Sequence, residues 1–327
     1  MRKFLVGALL LTVGAGLTLP TKARAQAAQE PKTAQSLQII YIAGAKFGAD
    51  DPLRSSVMFS SLYLLGGAGS HAVALAGDDA IALVDTKGPG WGEALRVKAG
   101  LTTDVPIELI INTSPRAAGA NAEFPDAKMI VAHEKTKALM AKTAAFSGAN
   151  AKGLPTKTFT DTLSVPFKVP GETVGKTIDM YHFGAGHSAG DTIVVFPTYG
   201  VAVFGDLFPG KQVPAIDFEN GGSPVALVDT LAKTVKGLQG KGIETIIPGR
   251  GTPPPKAILR WITMRDLEEF ATVNSDLLDS AKASLAAGKS VGDAAVAATT
   301  LLSGKYPNYG LTNVRANVEA IYAELRQ

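Results

Sequence analysis

The chain has 327 residues, no cysteine and a formal net charge of +3. Its hydrophobic content of 46% supplies a large core, which excludes a disordered or collagen-like chain. The lack of cysteine excludes disulfide frameworks, thiol nucleophiles and cysteine-ligated zinc. The length fits one large domain with an appendage, or two smaller domains.

The N-terminus has the pattern of a signal peptide. Arg2 and Lys3 precede an apolar run over residues 4–19, and residues 23–25 form a small-x-small cleavage pattern. We expect residues 1–25 to be removed after about Ala25 and the protein to be exported, either periplasmic or secreted. A membrane anchor is the alternative, but the run is shorter than the about 20 residues that span a bilayer. No later stretch is apolar enough to be a transmembrane segment.

Removal of this segment changes the charge balance. Residues 1–25 contain four basic residues and no acidic one, so the rest of the chain has 28 basic and 29 acidic residues. A near-neutral exported protein is a poor candidate for nucleic-acid binding.

The next part of the chain alternates between short strands and turns. Residues 26–36 are polar and rich in Ala and Gln, and we expect a flexible lead-in there. A hairpin is predicted around the turn at residues 77–79, and a helix over residues 224–238. This mixture indicates a layered α/β domain. The predicted strands are residues 57–65, 72–76, 80–85, 107–112, 129–132, 177–182, 192–196, 201–204 and 244–247.

The composition becomes helical after three consecutive prolines at residues 253–255. Leu267 and Phe270, and later Val314, Val318 and Ile321, are apolar residues at near-helical spacing. The prolines stop the preceding element and mark a boundary. We expect residues 256–327 to form a helical extension packed on a main domain of residues 37–255.

Four segments, in this order, resemble the metallo-β-lactamase superfamily. The first is a strand that ends in Asp85, and the second is an Asn-Thr-Ser-Pro-Arg loop followed by Asn121. The third runs from His187 to a Gly-Asp pair ending at Asp206, and the fourth is a Pro-Gly-Arg turn ending at Arg250. The resemblance covers roughly residues 37–255. It implies a four-layer αββα sandwich with a C-terminal helical appendage.

The zinc ligands of that superfamily come from an N-T-H-x-H-x-D-H loop, a later His, a Gly-Asp pair and a final Pro-Gly-His. Here Ser114 and Arg116 replace the two leading histidines, the following Asp-His pair is lost, and Arg250 replaces the last histidine. Only His187 and Asp206 match ligand positions. Serine is a poor zinc ligand and arginine is none. The resemblance therefore implies a degenerate dizinc site, and no cofactor is expected.

Other polar residues have structural interpretations. The resemblance implies that Asp85 braces the former metal loop, while Asn121 and Asp191 are expected to be turn and cap residues. The remaining histidines fall at no ligand position, and we interpret them as structural or surface residues: His71, His133 and His182.

Loss of the metal would leave Asp206 without a counterion in a half-buried place. We expect Arg116, Arg250 or both to pair with it, so that an ion cluster replaces the metal. Two guanidinium groups also make a pocket for a carboxylate, sulfate or phosphate ligand. Serine-type hydrolysis by Ser114 with His187 as base lacks the Gly-x-Ser-x-Gly elbow. The cleft candidates are thus Ser114, Arg116, His187, Asp206 and Arg250.

Three functional hypotheses follow. The first is an exported pseudoenzyme that binds an anionic small molecule or serves as an accessory protein. The second is an active hydrolase of the superfamily with a reduced or relocated metal site, in which case zinc is the cofactor. The third is a structural partner whose C-terminal helices dock another chain. Metal content separates the first two, and small-molecule binding in the cleft separates the first from the third.

Overall fold

In the computed structural model of the protein, residues 38–44, 61–66, 69–100, 105–168, 176–250 and 262–327 are described, and all of them belong to one compact unit. The predictions of a signal peptide, of a flexible lead-in and of a boundary at the three prolines lie outside the described residues. Among the described helices, none is both long enough and apolar enough to span a membrane.

The first sheet joins an antiparallel half to a parallel half. Its first four strands pair antiparallel, and the fourth to the seventh pair parallel. The carboxyl ends of parallel strands meet at one edge, which brings the residues after the fourth and fifth strands together. Within the described residues the strands run, in spatial order, β1 (Gln38–Gly44), β2 (Ser61–Gly66), β3 (Ala72–Ala76), β4 (Ile81–Val84), β5 (Ile107–Ile111), β6 (Met129–His133) and β7 (Lys157–Phe159).

The second sheet is antiparallel except at one edge. In the described part of the chain it contains β8 (Thr162–Phe167), β9 (Lys176–Tyr181), β10 (Ile193–Phe196), β11 (Val201–Gly205) and β12 (Thr245–Pro248), in the spatial order β12-β11-β10-β9-β8. β11 and β12 pair in parallel. Their carboxyl ends therefore lie side by side, which brings Asp206 next to the turn that contains Arg250.

The helices begin at clear sequence signals. The side chain of Ser223 accepts a hydrogen bond from the backbone N–H of Ala226 (2.9 Å), with Pro224 at the first helical position. Thr263 and Asp266 form a reciprocal capping box at the start of the longest described helix. The described helices are α1 (Gly92–Gly100), α2 (Glu134–Met140), α3 (Pro224–Leu238), α4 (Met264–Ala286), α5 (Val291–Lys305) and α6 (Val314–Leu325).

The side chains of each strand point alternately to the two faces of its sheet, and this explains how sheets and helices stack in layers. In β4, Leu83 packs in the same core as Leu95 of α1, whereas Val84 packs in a core shared with Val194 of β10. Val195 of β10 faces the opposite way, into a core that α3 to α6 supply. Because the central strands of both sheets are buried on both faces, the order of the layers is helix, sheet, sheet, helices. This confirms the predicted αββα sandwich with C-terminal helices.

The strand predictions missed β1, β7 and β8, and the last two share a physical reason. Both are edge strands with several exposed side chains, and β8 contains Pro166, which is tolerated in a sheet only at an edge or a bulge. Neither strand therefore has the continuous apolar run by which β5 and β10 were recognised. The helix predicted over residues 224–238 coincides with α3.

Candidate functional site

The site lies where the two sheets present the carboxyl ends of their parallel strands. Asp85 follows β4, Ser114 follows β5, Asp206 follows β11 and Arg250 follows β12. The backbone N–H of Gly249 donates a hydrogen bond to the carbonyl of Gly205 at 2.8 Å, which ties the last two loops together. Topology alone thus collects these residues at one edge of the sandwich.

Asp85 braces the loop after β5. Its Oδ1 accepts a hydrogen bond from the backbone N–H of Thr113 (2.8 Å), and its Oδ2 accepts one from the Thr113 hydroxyl (2.7 Å). Burial raises the pKa of Asp85 from 3.8 to about 7, against the lowering effect of these hydrogen bonds. The Asp85 carboxyl therefore exchanges its proton close to neutral pH.

Asn121 holds the other side of the same loop. Its amide nitrogen donates to Asn112 Oδ1 (2.8 Å) and to the carbonyl of Gly153 (2.9 Å). Its oxygen accepts from the Thr86 hydroxyl (2.8 Å) and from Asn112 Nδ2 (3.1 Å). All these groups are buried, so Asn121 connects three loops and faces no ligand.

Asp191 fixes the loop that carries His187. Both carboxylate oxygens of Asp191 accept hydrogen bonds from the backbone N–H of Ser188 at 3.0 Å, and Oδ1 also accepts from the Ser188 hydroxyl at 2.6 Å. Burial raises the pKa of Asp191 to about 7. Its role is to shape the loop, since its carboxylate is enclosed by that loop.

The imidazole ring of His187 lies between two acids without a hydrogen bond to either. Its Nδ1 is 3.9 Å from Asp191 Oδ1, and its Nε2 is 3.9 Å from Asp206 Oδ2. Both distances exceed those of a hydrogen bond. Burial lowers the pKa of His187, so the ring is neutral near pH 7. Within the described residues, neither His187 Nδ1 nor the Ser114 hydroxyl has a hydrogen-bond partner.

Arg250 holds Asp206 through two contacts. Arg250 Nε lies 2.6 Å from Asp206 Oδ1, and Nη2 lies 3.3 Å from Oδ2. Arg116 points elsewhere, with its Nε 3.7 Å from Asp217 Oδ2. The hypothesis that one or both arginines pair with Asp206 agrees with the structure for Arg250. Arg116 has Asp217 as its ionic partner instead, which the hypothesis allowed because it required only one arginine at Asp206.

These loops enclose a cavity of about 180 Å³. Its lining includes three cationic side chains, those of Lys87, Arg116 and Arg250, and two acidic ones, those of Asp85 and Asp206. His71 also lines it and is fixed by a contact of 2.7 Å between its Nδ1 and the carbonyl of Pro248.

Two predicted cleft residues do not line this cavity. Ser114 is 1% exposed and His187 is 2% exposed, and both lie beneath the cleft surface. Their assignment as cleft residues stays a prediction, which the lining of this cavity does not support. The serine-type hydrolysis considered for this pair has no substrate access in this conformation.

Lys87 is a cleft residue that sequence reasoning missed. It is 3% exposed, and its Nζ donates to the carbonyl of Ser70 and lies 3.4 Å from the Ser70 hydroxyl. Burial lowers the pKa of Lys87 from 10.5 to about 8. The only signal in the sequence is its place two residues after Asp85 at the end of β4.

The residues at the former metal positions do not fit zinc. A zinc site in proteins uses at least three side-chain ligands. Here one imidazole and one carboxylate remain, and the carboxylate of Asp206 is already held by the guanidinium group of Arg250. Across the described ranges, no cluster of three or more His, Cys, Asp or Glu side chains is arranged to hold a metal ion.

Comparison with solved structures identifies the fold. No protein-family model matches the chain, and no curated protein sequence matches it. A metallo-beta-lactamase from Pontibacter korlensis superposes with a TM-score of 0.52 at 16% identity, covering 73% of this chain and 99% of that one. Metallo-beta-lactamase IND-7 superposes with a TM-score of 0.50 at 16% identity, covering 72% and 98%. On this likeness and on its layer order, the chain belongs to the proteins with the metallo-β-lactamase fold.

Proposed function

We propose that the protein is a metal-free member of this fold that binds a small anionic molecule in the cavity at the carboxyl ends of its strands. It then acts as a binding or accessory protein and not as a zinc hydrolase. The observation that carries the proposal is the excess of cationic over acidic side chains that line one cavity, at the place where the resemblance implies the zinc site of the superfamily.

The charge balance of the cavity favours an anion. Arg250 neutralises Asp206, and the raised pKa of Asp85 keeps part of its population uncharged at pH 7. Lys87 and Arg116 add two further positive charges, and Asp217 offsets part of the second from 3.7 Å away. An anion entering this cavity therefore meets a positive field in a partly desolvated place, where electrostatic interactions are stronger than in bulk water.

Arg116 is the best-placed donor. Its side chain is 49% exposed, and among the described residues its ionic partner is Asp217, at a distance too long for a hydrogen bond. A guanidinium group offers five N–H donors in a planar fork, which suits bidentate binding of a carboxylate, sulfate or phosphate.

The cavity volume limits the ligand. About 180 Å³ lies below the roughly 300–1,000 Å³ of pockets for drug-sized molecules. The ligand class is therefore a small anion with few carbon atoms, and a long polymer or a large ring system does not fit inside.

The other two hypotheses receive less support. A relocated metal site needs other histidines, but His71 contacts the carbonyl of Pro248, and His133 and His182 stack on each other with ring centroids 3.8 Å apart. A docking role for the C-terminal helices rests on Val296, Leu301 and Leu325, which are scattered exposed residues of an ordinary kind. We retain export through cleavage after about Ala25 as part of the proposal.

The test is ligand-induced stabilisation. Sulfate, phosphate and acetate are titrated against the purified protein near pH 7, and the thermal midpoint Tm is measured at constant ionic strength. We expect Tm to rise with sulfate or acetate, and R116Q to lower the apparent affinity about tenfold or more, because a charge-assisted hydrogen bond is lost. R315Q, which alters an exposed arginine of α6, is the matched control. If the anions raise Tm equally in the wild type, R116Q and R315Q, the stabilisation is a nonspecific salt effect and the proposal is overturned.

A further inference from the structure

Lys87 has an unusual position for a lysine. It is almost fully buried, and it lines the cavity together with Asp85 and Arg116. Among the described residues, Asp85 (φ 65°) and Lys87 (φ 61°) are the non-glycine residues with positive φ. Two side chains held in left-handed backbone within three residues indicate a constrained segment, and such constraint concentrates at functional sites.

Burial of the Lys87 amine favours its neutral form, and its polar and aromatic neighbours act against this effect. Its Nζ lies 5.7 Å from the ring centroid of Trp91 and donates to the carbonyl of Ser70, and both of these contacts favour the charged form. Burial lowers its pKa to about 8, although Asp85 acts in the opposite direction. A larger share of the Lys87 side chains is therefore neutral at pH 7 than for an exposed lysine of ordinary pKa.

We propose that Lys87 is a carbonyl-reactive amine, whose Nζ forms an imine with the aldehyde or ketone group of a small molecule that also carries an anionic group held by Arg116. This inference rests on the proposed function, since the anion-binding cavity is what holds the anionic group of the small molecule. A carboxylate bound at Arg116 delivers its neighbouring carbonyl carbon into the cavity that Lys87 lines. A desolvated lysine is the usual amine nucleophile for carbonyl substrates.

The reaction balances without any oxidant or reductant. The lone pair of the neutral Nζ attacks the carbonyl carbon, and the carbonyl oxygen takes up a proton to give a carbinolamine. The nitrogen loses its two protons over the two steps, and the oxygen leaves as water while the C=N bond forms. Asp85 lines the same cavity and exchanges its proton near neutral pH, so it is the group placed to donate and accept these protons.

The experiment uses glyoxylate, a small aldehyde with a carboxylate, and glycolate, its hydroxy analogue, which forms no imine. The protein is incubated with limiting glyoxylate and cyanoborohydride near pH 7, and the reduced adduct is located by intact mass and peptide mapping. We expect about one adduct per chain, at Lys87, formed at least about tenfold faster than at any exposed lysine. K168R, which alters an exposed lysine directly after β8, should leave the adduct unchanged, and K87R should abolish it.

The arms of the experiment separate the two proposals. Stabilisation by glycolate, together with selective labelling of Lys87 that slows in R116Q, supports both. Stabilisation by glycolate with labelling spread evenly over the exposed lysines overturns the imine inference and leaves anion binding intact. If glycolate does not bind and Lys87 is labelled at the same rate in the wild type and in R116Q, the proposal that an anion binds at Arg116 is overturned. Because selectivity is measured on the wild-type protein, the result does not depend on the folding of K87R.

Discussion

The guanidinium group of Arg250 lies against the carboxylate of Asp206, with Nε 2.6 Å from Oδ1 and Nη2 3.3 Å from Oδ2. Arg250 comes from the loop after β12 and Asp206 from the loop after β11, so this pair joins two loops that would otherwise present separate charges. A metal ion and a guanidinium group both neutralise a carboxylate, but only the metal requires further ligands. The scaffold therefore keeps its shape around Asp206 without the histidines that a metal would need.

Replacement of Arg250 by glutamine should destabilise the protein. We expect R250Q to lower the free energy of unfolding by about 1–3 kcal/mol, because Asp206 becomes a buried carboxylate without a countercharge. The 38% exposure of the Arg250 side chain keeps the loss below that of a fully buried pair. Urea-induced unfolding near pH 7 measures it. The double variant D206N/R250Q should recover much of the loss, and a strictly additive double variant would contradict the pairing.

Restoring two histidines should restore metal binding. The variant S114H/R116H places imidazoles at the two leading ligand positions, alongside His187, and three histidines make a zinc site. We expect about one zinc per chain by elemental analysis after purification without chelator, with a rise in Tm on zinc addition. The wild type should hold far less than one. The triple variant S114H/R116H/H187A should lose the metal, and tightly held zinc in the wild type that disappears in H187A would favour the hydrolase hypothesis.

Anion binding should weaken as pH rises. The pKa of Asp85 is about 7 and that of Lys87 about 8, so between pH 6 and pH 9 the cavity gains a negative charge and loses a positive one. Sulfate keeps its charge over this range. We expect its affinity, measured by calorimetry, to fall about tenfold or more from pH 6 to pH 9. K87R stays charged and should lose less affinity at pH 9; identical pH profiles for K87R and the wild type would contradict the part assigned to Lys87.

The stacked pair of His133 and His182 should make the protein sensitive to acid. Burial, with a further contribution from His182, lowers the pKa of His133 to about 4, below its ordinary value of 6.5. The unfolded chain therefore binds a proton at a higher pH than the folded one, and stability is lost as pH falls from about 6.5 towards 4. We expect a loss of about 1–3 kcal/mol from this site, measured by urea unfolding at several pH values.

Asparagine at position 133 is the matched control for this prediction. The Nδ1 of His133 accepts a hydrogen bond from the backbone N–H of Lys135 (3.2 Å) at the start of α2, and asparagine is a favoured residue for that capping role. H133N should remain folded and should lose stability less steeply between pH 6.5 and 4. An unchanged slope would assign the acid sensitivity to other groups.

The sequence predicted which loops form the site, but it did not predict which side chains are exposed there. The residues after β4, β5, β11 and β12 were identified because strand ends and motif order are local features. The positions of Ser114 and His187 below the surface depend on how distant loops close over them. The burial of Lys87 depends on Ser70, seventeen residues away in the chain, and a lysine is ordinarily exposed. Edge strands such as β8 escaped prediction for a related reason, since half-exposed strands lack a strong apolar pattern.

The C-terminal helices cover one face of the second sheet, so the sandwich depends on them for stability. Leu267 and Phe270 of α4 and Tyr322 of α6 are buried in the same core as Ile193 and Ile246 of the second sheet. A chain cut after β12 would leave that face of the sheet open to water and prone to self-association. Limited proteolysis should therefore release no shortened, stable sandwich, and the sheets and α4 to α6 should melt in a single cooperative transition.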